Sequence, residues 1–152
     1  MDISQEAVAL TQRNAALNGL EGKVEARQAD VFDLLTQLAQ AGGHPYDYII
    51  LDPPAFTKSG TTVKNAFRGY KEINYKAMKL LPRGGYLATC SCSHFMTPEL
   101  FEKTIREAAG NVHKRLRQVE YRTQAPDHPI LWSGDETSYY LKFFIFQVCD
   151  EK

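Results

Sequence analysis

The sequence predicts an α/β protein built on a doubly wound, mostly parallel sheet. Helical and strand-like segments alternate along most of the chain, as they do where helices cover the faces of a parallel sheet. Two strand-like segments with no helix between them close the chain, which indicates an antiparallel hairpin at the sheet edge. At 152 residues, with 43% hydrophobic and 24% charged residues, the chain is expected to form a single domain over residues 1–152.

Four segments carry helical signals. Ser4 can cap a helix over residues 5–18 that stops at Gly19, and "DLLTQLAQAGG" is a short helix ended by a glycine pair. "NAFRGYKEINYKAMKLL" has apolar residues near helical spacing and is broken by "PRGG". "TPELFEKTIREAAG" opens on Thr97 as a cap with Pro98 at the first helical position, and it closes at Gly110.

Five strands are predicted between and after these helices. In "KVEARQADVF" apolar and polar residues alternate, which is typical of a strand. "YDYIIL" and "SYYLKFFIFQV" contain apolar runs that predict buried strands. In chain order the segments are "KVEARQADVF", "YDYIIL", "YLATCSC", "RLRQVEYRT" and "SYYLKFFIFQV".

The formal net charge is zero, but the basic residues are concentrated in one stretch. Such a stretch can bind phosphates, or it can be the solvated face of a lysine-rich helix. Against Glu72 alone, residues 53–83 carry Lys58, Lys64, Arg68, Lys71, Lys76, Lys79 and Arg83.

Composition also bounds the environment of the protein. We find no apolar run near the length of a membrane span and no signal peptide, so no membrane partner is expected. Three cysteines, an odd number, do not form a disulfide framework in a chain of this length and indicate a reducing compartment. The expected location is the cytoplasm.

Three acids stand at the predicted carboxyl ends of strands, where ligands bind in open α/β sheets. They are Asp2, Asp30 and Asp52. Each could accept hydrogen bonds from ribose hydroxyls or an exocyclic amine, although an aspartate at such a position can also simply cap a helix. The three together favour a nucleoside-shaped site.

The "DPPAF" turn ends the second predicted strand in an unusual way. Pro53 and Pro54 fix their own φ angles and push the preceding residues out of the helical region, so the chain after Asp52 is stiff and extended. A planar base could stack on Phe56 while Asp52 meets its polar edge. The alternative is a proline-rich turn with no function beyond ending the strand.

The stretch "TCSCSH" allows three interpretations. Alternation along a strand would put Cys90, Cys92 and His94 on one side. A buried structural cysteine is the most common fate of this residue type. A nucleophile whose pKa is lowered by nearby basic groups is the second interpretation. A metal site is the third, but the second ligand pair typical of zinc sites is missing.

Several of these stretches together resemble the class I methyltransferases that use S-adenosylmethionine. More narrowly, the chain resembles the bacterial family that methylates cytosine C5 of large-subunit ribosomal RNA and usually carries an N-terminal PUA domain. "DPPAF" together with "TCSCS" is fairly specific to that family, and the other matches are general to the fold. The matching stretches, in order, are "DISQEAV", "ADVFD", "DPPAFTKS", "RGYKEIN", "GGYLATCSCS" and "DHPI".

The resemblance implies a Rossmann-like sheet, S-adenosylmethionine as cofactor, and RNA, in particular ribosomal RNA, as substrate. It implies that Asp2 holds the cofactor ribose and Asp30 its adenine amine, with Val31 or Phe32 beside the ring. Asp52 and Pro53 would lie between the methyl donor and the target base, and Cys90 of the T-C-S motif would be the nucleophile, with Cys92 as runner-up. The residues expected to contact the substrate are Pro54, Phe56, Lys58 and Arg68. A homodimer is compatible with this assignment.

The resemblance also has a gap, because no first strand and no glycine-rich cofactor loop precede Asp2. We therefore expect the chain to be an N-terminally truncated catalytic domain that, alone, binds S-adenosylmethionine weakly or not at all. Two other functions stay open. An acid followed by two prolines and an aromatic also occurs in enzymes that methylate exocyclic nitrogens of bases, which need no cysteine. A non-catalytic folding or dimerisation module is the other.

Overall fold

The computed structural model describes residues 1–57, 59–133 and 136–149. The chain divides into two compact units, Met1–Ala41 and Gly42–Lys152. Each unit has its own hydrogen-bonded framework and is considered separately. Lys58, one of the residues expected to contact substrate, lies outside the described residues.

The first unit consists of two helices, both predicted. Helix α1 spans Gln5–Leu17, and the Ser4 hydroxyl accepts a hydrogen bond from the Ala7 N–H at 3.2 Å, as expected of an N-cap. Gly19 follows the helix with a φ of +66°, a conformation that glycine adopts at little cost. Helix α2 spans Val31–Ala41 and is followed by two glycines with positive φ.

The strand predicted at residues 23–32 is wrong. Within the first unit, the whole of which is described, this segment forms a single parallel bridge, between Gln28 and Asp2. Ala29 N donates to Asp2 O at 3.0 Å, and Asp2 N donates to Arg27 O at 3.2 Å. Alternation alone does not make a strand, because each ladder bond needs a partner segment beside it.

The second unit contains a four-stranded sheet in the order β1-β2-β4-β3. The strands are β1 Tyr48–Leu51, β2 Tyr86–Ser91, β3 Arg115–Arg122 and β4 Lys142–Cys149. Strands β1 and β2 are parallel, whereas β4 is antiparallel to both β2 and β3. The α/β class and the closing antiparallel pair are confirmed, but the described sheet is mixed rather than mostly parallel.

Helices α3, Val63–Lys79, and α4, Pro98–Asn111, pack together with this sheet. The core contains a row of ring contacts in which Tyr70 meets Phe101 at 5.4 Å between centroids and Phe101 meets Phe144 at 6.1 Å. All three rings are at most 1% exposed. This core therefore ties α3, α4 and β4 into one body.

Strand β1 departs from the prediction of a buried strand. It lies at one edge of the sheet, where Leu51 is buried but Ile50 is 67% exposed and Tyr48 46% exposed. A continuous apolar run indicates a strand, but it does not establish that both faces of that strand are covered.

The cap of α4 gives a direct test of the local structure. Thr97 Oγ1 accepts a hydrogen bond from the Leu100 N–H at 3.3 Å, and Pro98 occupies the first helical turn. We predict that Thr97→Ala lowers the free energy of unfolding by about 1 kcal/mol, because one N–H at the helix start loses its acceptor. Urea unfolding followed by circular dichroism measures this, and Thr97→Asp, which keeps an acceptor, should stay near the wild-type value. Equal stability of Thr97→Ala and the wild type would contradict it.

Candidate active site

Asp52 and Cys90 meet at the carboxyl ends of the two parallel strands. The register pairs Leu51 with Thr89, so the residues that follow them emerge at the same edge of the sheet. The Cys90 thiol donates to Asp52 Oδ1 at 3.1 Å and lies 3.4 Å from the Leu51 carbonyl oxygen. This contact brings together Asp52 and Cys90, two residues to which the family resemblance gave roles at the same reaction.

The thiol of Cys90 is buried, with the residue 6% exposed. Burial raises the pKa of Cys90 to about 12, and the hydrogen bond to Asp52 and the carboxylate charge act in the same direction. The expectation that basic groups lower the pKa of this thiol is therefore wrong. The group beside it is a carboxylate, so Cys90 is a protonated hydrogen-bond donor at neutral pH.

The turn after β2 is anchored on both sides of Cys92. Ser91 Oγ donates to the Tyr70 hydroxyl at 3.0 Å, and Ser93 Oγ donates to the Thr57 carbonyl at 3.0 Å. Both serines are buried, whereas Cys92 between them is exposed. The structure thus holds the backbone of this turn while it presents the Cys92 side chain to solvent.

The expectation that Cys90, Cys92 and His94 share one side is wrong. Strand β2 ends at Ser91, so the alternation that would align the three residues does not continue beyond it. Cys90 is buried, while Cys92 and His94 are exposed. Among the residues that the structure describes, no group of three or more histidine, cysteine or acidic side chains is arranged to hold a metal ion.

The proline-rich segment after β1 is fixed against α3 through Phe56. Its ring lies 4.5 Å from that of Tyr70, between centroids, and a Cβ at Gly69 would come within 3.2 Å of Phe56 Cδ2. The glycine inside α3 therefore allows the close approach of this ring. Phe56 and Pro53 are half-buried and Pro54 is exposed, so part of the surface on which a base was predicted to stack is accessible.

The basic residues of α3 do not all present free charge. Lys71 pairs with Glu107 at 2.8 Å, and Lys76 pairs with Glu72 at 2.5 Å. Lys64 and Arg68 are exposed and lie one helical turn apart. The start of α3 is thus the part of this stretch that best fits a phosphate-binding surface.

Lys142, the first residue of β4, is a further candidate that is not among the site residues predicted from the sequence. Its side chain is completely buried, and Nζ donates to the Ser93 carbonyl at 2.5 Å and the Tyr140 carbonyl at 2.9 Å. Burial lowers the pKa of Lys142 to about 8, and the nearby Cys92 opposes that change. The signal was present in the sequence as one lysine inside the apolar run "SYYLKFFIFQV".

In the first unit, Asp2 and Asp30 each cap a local turn. Asp2 Oδ1 accepts from the Ser4 N–H at 2.8 Å, and Asp30 Oδ1 accepts from the Phe32 N–H at 2.8 Å. The bridge between Asp2 and Gln28 puts the two acids on neighbouring backbone segments. Both acids are exposed, and Val31 and Phe32 are half-buried. Each carboxylate thus caps a turn and is also exposed, so it can accept hydrogen bonds from a ligand as well.

In the described part of the chain, no helix has the length and apolar character that a bilayer crossing requires.

Comparison with known proteins gives consistent similarities. A family model described as "Methyltransferase domain" matches residues 1–144. A protein named ribosomal RNA large subunit methyltransferase I from Klebsiella pneumoniae is 41% identical over 149 residues, which cover 97% of this chain and 37% of that protein. The protein of the same name from Shewanella denitrificans is 42% identical over 149 residues, with the same two coverages. The chain thus spans 37% of the length of these curated relatives.

Among solved structures, SMU.776 complexed with SAH has a TM-score of 0.74 and 22% sequence identity. The match covers 95% of this chain and 37% of that chain. At this identity the similarity concerns the fold, and it supports the mixed α/β architecture described above.

The different environments of the cysteines predict different reactivities. With a pKa of about 12, roughly 1 in 10⁴ of Cys90 thiols is ionised at pH 8, so we expect iodoacetamide to modify Cys92 rapidly and Cys90 very slowly. Peptide mass spectrometry over time measures both rates in one sample. Asp52→Asn should speed the labelling of Cys90, because it removes the charge that helps to raise this pKa, and should leave Cys92 unchanged. Similar rates for the two cysteines in the wild type would refute this assignment.

Proposed function

The chain belongs to the methyltransferase-domain family, and from that premise we propose that it carries the catalytic residues of an S-adenosylmethionine-dependent enzyme. The proposed reaction is methylation of cytosine carbon 5 in large-subunit ribosomal RNA. The names of the relatives from K. pneumoniae and S. denitrificans support the RNA class. The observation that carries the carbon-5 chemistry is an exposed cysteine, Cys92, on a turn anchored beside the Asp52–Cys90 pair.

The acids of the first unit fit the expected cofactor. Asp2 and Asp30 are exposed carboxylates on bridged segments, and each can accept hydrogen bonds from ribose hydroxyls or an adenine amine. Val31 and Phe32 supply half-buried apolar surface next to Asp30. Within the second unit, Asp52 and Pro53 are proposed to contact the methyl group that is transferred to the base. When bound, S-adenosylmethionine supplies an electrophilic methyl group on sulfur.

Asp52 is proposed to bind the N3 and N4 edge of the target cytosine. Because the Cys90 thiol remains protonated, it can donate to Asp52 Oδ1 and hold the carboxylate in one orientation. Asp52 is exposed, so it remains accessible to a base. A preoriented carboxylate would favour protonation of the cytosine ring as electrons move into it. Cys90 is then a positioning residue for Asp52.

Cys92 is proposed as the nucleophile, although the family resemblance points to Cys90. Nucleophilic attack requires an accessible thiolate, and Cys90 is buried with a strongly raised pKa, whereas Cys92 is exposed. Addition of Cys92 Sγ to carbon 6 forms a carbon–sulfur bond and shifts an electron pair to carbon 5, which then takes the methyl group. Removal of the carbon-5 proton by a base restores the double bond and expels the thiolate.

The RNA is proposed to follow the start of α3. Arg68 is exposed and precedes Gly69, against which Phe56 packs, so a phosphate contact at Arg68 would lie beside the base-stacking residue. Pro54 and Phe56 would meet the base. Lys58, which follows them in the sequence, stays a proposed substrate contact on the strength of its charge. Lys64, one turn before Arg68, extends the same basic surface.

Trapping a covalent complex tests the reaction and its nucleophile. Incubation of the full-length protein with S-adenosylmethionine and RNA that contains 5-fluorocytosine should yield a stable adduct, because fluorine blocks the final elimination. We expect Cys92→Ala to abolish the adduct, Cys90→Ala to reduce its rate, and Cys149→Ala, the matched control, to leave it unchanged. Denaturing gels and peptide mass spectrometry measure the adduct.

The other outcomes of the trapping experiment assign the alternatives. An adduct that persists in Cys92→Ala and disappears in Cys90→Ala assigns the attack to Cys90. Methyl transfer that survives the loss of both cysteines indicates methylation of an exocyclic nitrogen. If the wild-type protein is folded and binds RNA but transfers no methyl group, the chain is a non-catalytic module.

Salt dependence tests the RNA surface. We predict that Arg68→Ala weakens RNA binding to a similar extent for all sequences and reduces the slope of log affinity against log salt by about 1, as expected for the loss of one phosphate contact. Filter binding at several salt concentrations measures the slope. Lys79→Ala is the matched control, because Lys79 lies at the far end of α3 with Nζ over the Tyr75 ring. An unchanged slope in Arg68→Ala would remove this residue from the interface.

A further inference from the structure

Lys142 is a buried cation in an unusual position. Lysine is rarely buried unless it is paired, yet none of the described carboxylates lies within ion-pair distance of its Nζ. Two backbone carbonyls, those of Ser93 and Tyr140, accept its hydrogen bonds instead. Burying an ammonium in this way costs free energy, so its retention at this edge of the sheet calls for a function.

The position of Lys142 connects it to the turn that carries Cys92. In the antiparallel register of β2 and β4, Lys142 pairs with Ser91, the last residue of β2. Its Nζ also donates a hydrogen bond to the carbonyl of Ser93, the residue that follows Cys92. The lysine thus contacts the residues on both sides of Cys92, one through strand pairing and the other through its side chain.

The electrostatics point in the same direction. The pKa of Lys142 is lowered by burial, and the interaction with Cys92 acts against that lowering, so an ammonium at Lys142 and a thiolate at Cys92 attract each other. Among the described residues, Cys92 is the titratable group that acts on Lys142 in this way. Other titratable side chains on the surrounding elements are Tyr70 on α3, Tyr121 on β3, Glu99 and Glu102 on α4, Tyr139 and Tyr140 before β4, and His94 and His128 in the adjoining loops.

We propose that Lys142 is a positioning residue for Cys92: its buried ammonium fixes the 91–93 turn through the Ser93 carbonyl and supplies the positive charge that favours a thiolate at Cys92. This inference deepens the proposed function and rests on it, because it gives a purpose to Lys142 only if Cys92 is the nucleophile. A cation held on backbone carbonyls keeps its charge available to a neighbouring anion, since none of the carboxylates in the described part of the chain forms an ion pair with it.

Alkylation of the wild-type chain and two variants tests this proposal without RNA or cofactor. Iodoacetamide labelling is followed by mass spectrometry from pH 6.5 to 9.5 in the wild type, Lys142→Met and Lys142→Arg. We expect Cys92 at pH 7 to react about three- to tenfold more slowly in Lys142→Met, the range expected for the loss of one nearby charge. Lys142→Arg keeps the charge and should stay near the wild-type rate. Cys149, at the opposite end of β4, is the internal control and should not change.

The pH profile separates a charge effect from a purely structural one. Because the pKa of Lys142 is about 8, the ratio of the wild-type rate to the Lys142→Met rate should decline toward one as pH rises above that value. A role limited to holding the turn would change the Cys92 rate by the same factor at every pH, and that result would overturn the proposal. Equal rates in the wild type and Lys142→Met at all pH values would overturn it as well.

Two further controls keep the test decisive. If circular dichroism shows that Lys142→Met does not fold, the alkylation rate of Cys92 divided by that of Cys149 is measured in the wild type instead. This ratio should fall as pH rises through about 8. A constant ratio would refute the proposal. The alkylation assay is independent of methyl transfer, so the two proposals can fail separately. If Cys92→Ala abolishes the covalent RNA adduct but Lys142→Met does not change the alkylation of Cys92, only the inference about Lys142 is rejected. If Lys142→Met slows the alkylation of Cys92 as expected but Cys92→Ala leaves the RNA adduct intact, the proposed function is rejected and the effect of Lys142 on Cys92 stands.

Discussion

The parallel pairing of β1 with β2 is the constraint on which the candidate site depends. Residues far apart in the chain, Asp52 and Cys90, follow paired positions in the two strands and therefore emerge at the same edge. The contact between the Ser93 hydroxyl and the Thr57 carbonyl joins the two following segments a second time. Two hydrogen bonds of this kind between neighbouring segments restrict both, and a site built in this way is held before any ligand binds.

Burial divides the chemistry of this edge between neighbouring residues. Desolvation moves two groups in opposite directions on the pH scale, the pKa of Cys90 up to about 12 and that of Lys142 down to about 8, and in both cases it favours the neutral form. Cys92 and Asp52, in contrast, are exposed. The buried members therefore suit holding and orienting, and the exposed members suit contact with a substrate.

Helix α3 connects the core to the candidate site. Tyr70 packs against Phe101 in the core, and its hydroxyl accepts the hydrogen bond of Ser91 at the end of β2. One residue earlier, Gly69 leaves space for the Phe56 ring, while Arg68 points to the exposed side. Because these neighbours are on one helix, a change that shifts α3 would move the anchored turn, the aromatic platform and the basic surface together.

The local signals in the sequence were sufficient for much of the fold. Capping residues, helical spacing and apolar runs located the four α-helices of the described residues and the four strands of their sheet, because such signals depend on near neighbours in the chain. They did not establish which segments pair with one another or which strand faces are covered. Residues 23–32 alternate like a strand but pair only at Gln28, and Ile50 belongs to an apolar run but lies exposed on an edge strand.

The site shows the same division. The sequence by itself determined that an acid, two prolines and a cysteine pair stand at strand ends, and the pairing of β1 with β2 then made Asp52 and Cys90 neighbours. Only the tertiary structure decided that Cys90 is buried against a carboxylate, that Cys92 projects from an anchored turn, and that Lys142 is enclosed with two carbonyls. The physical reason is that protonation and accessibility depend on the solvent and charges around a group, and residues distant in the chain supply both.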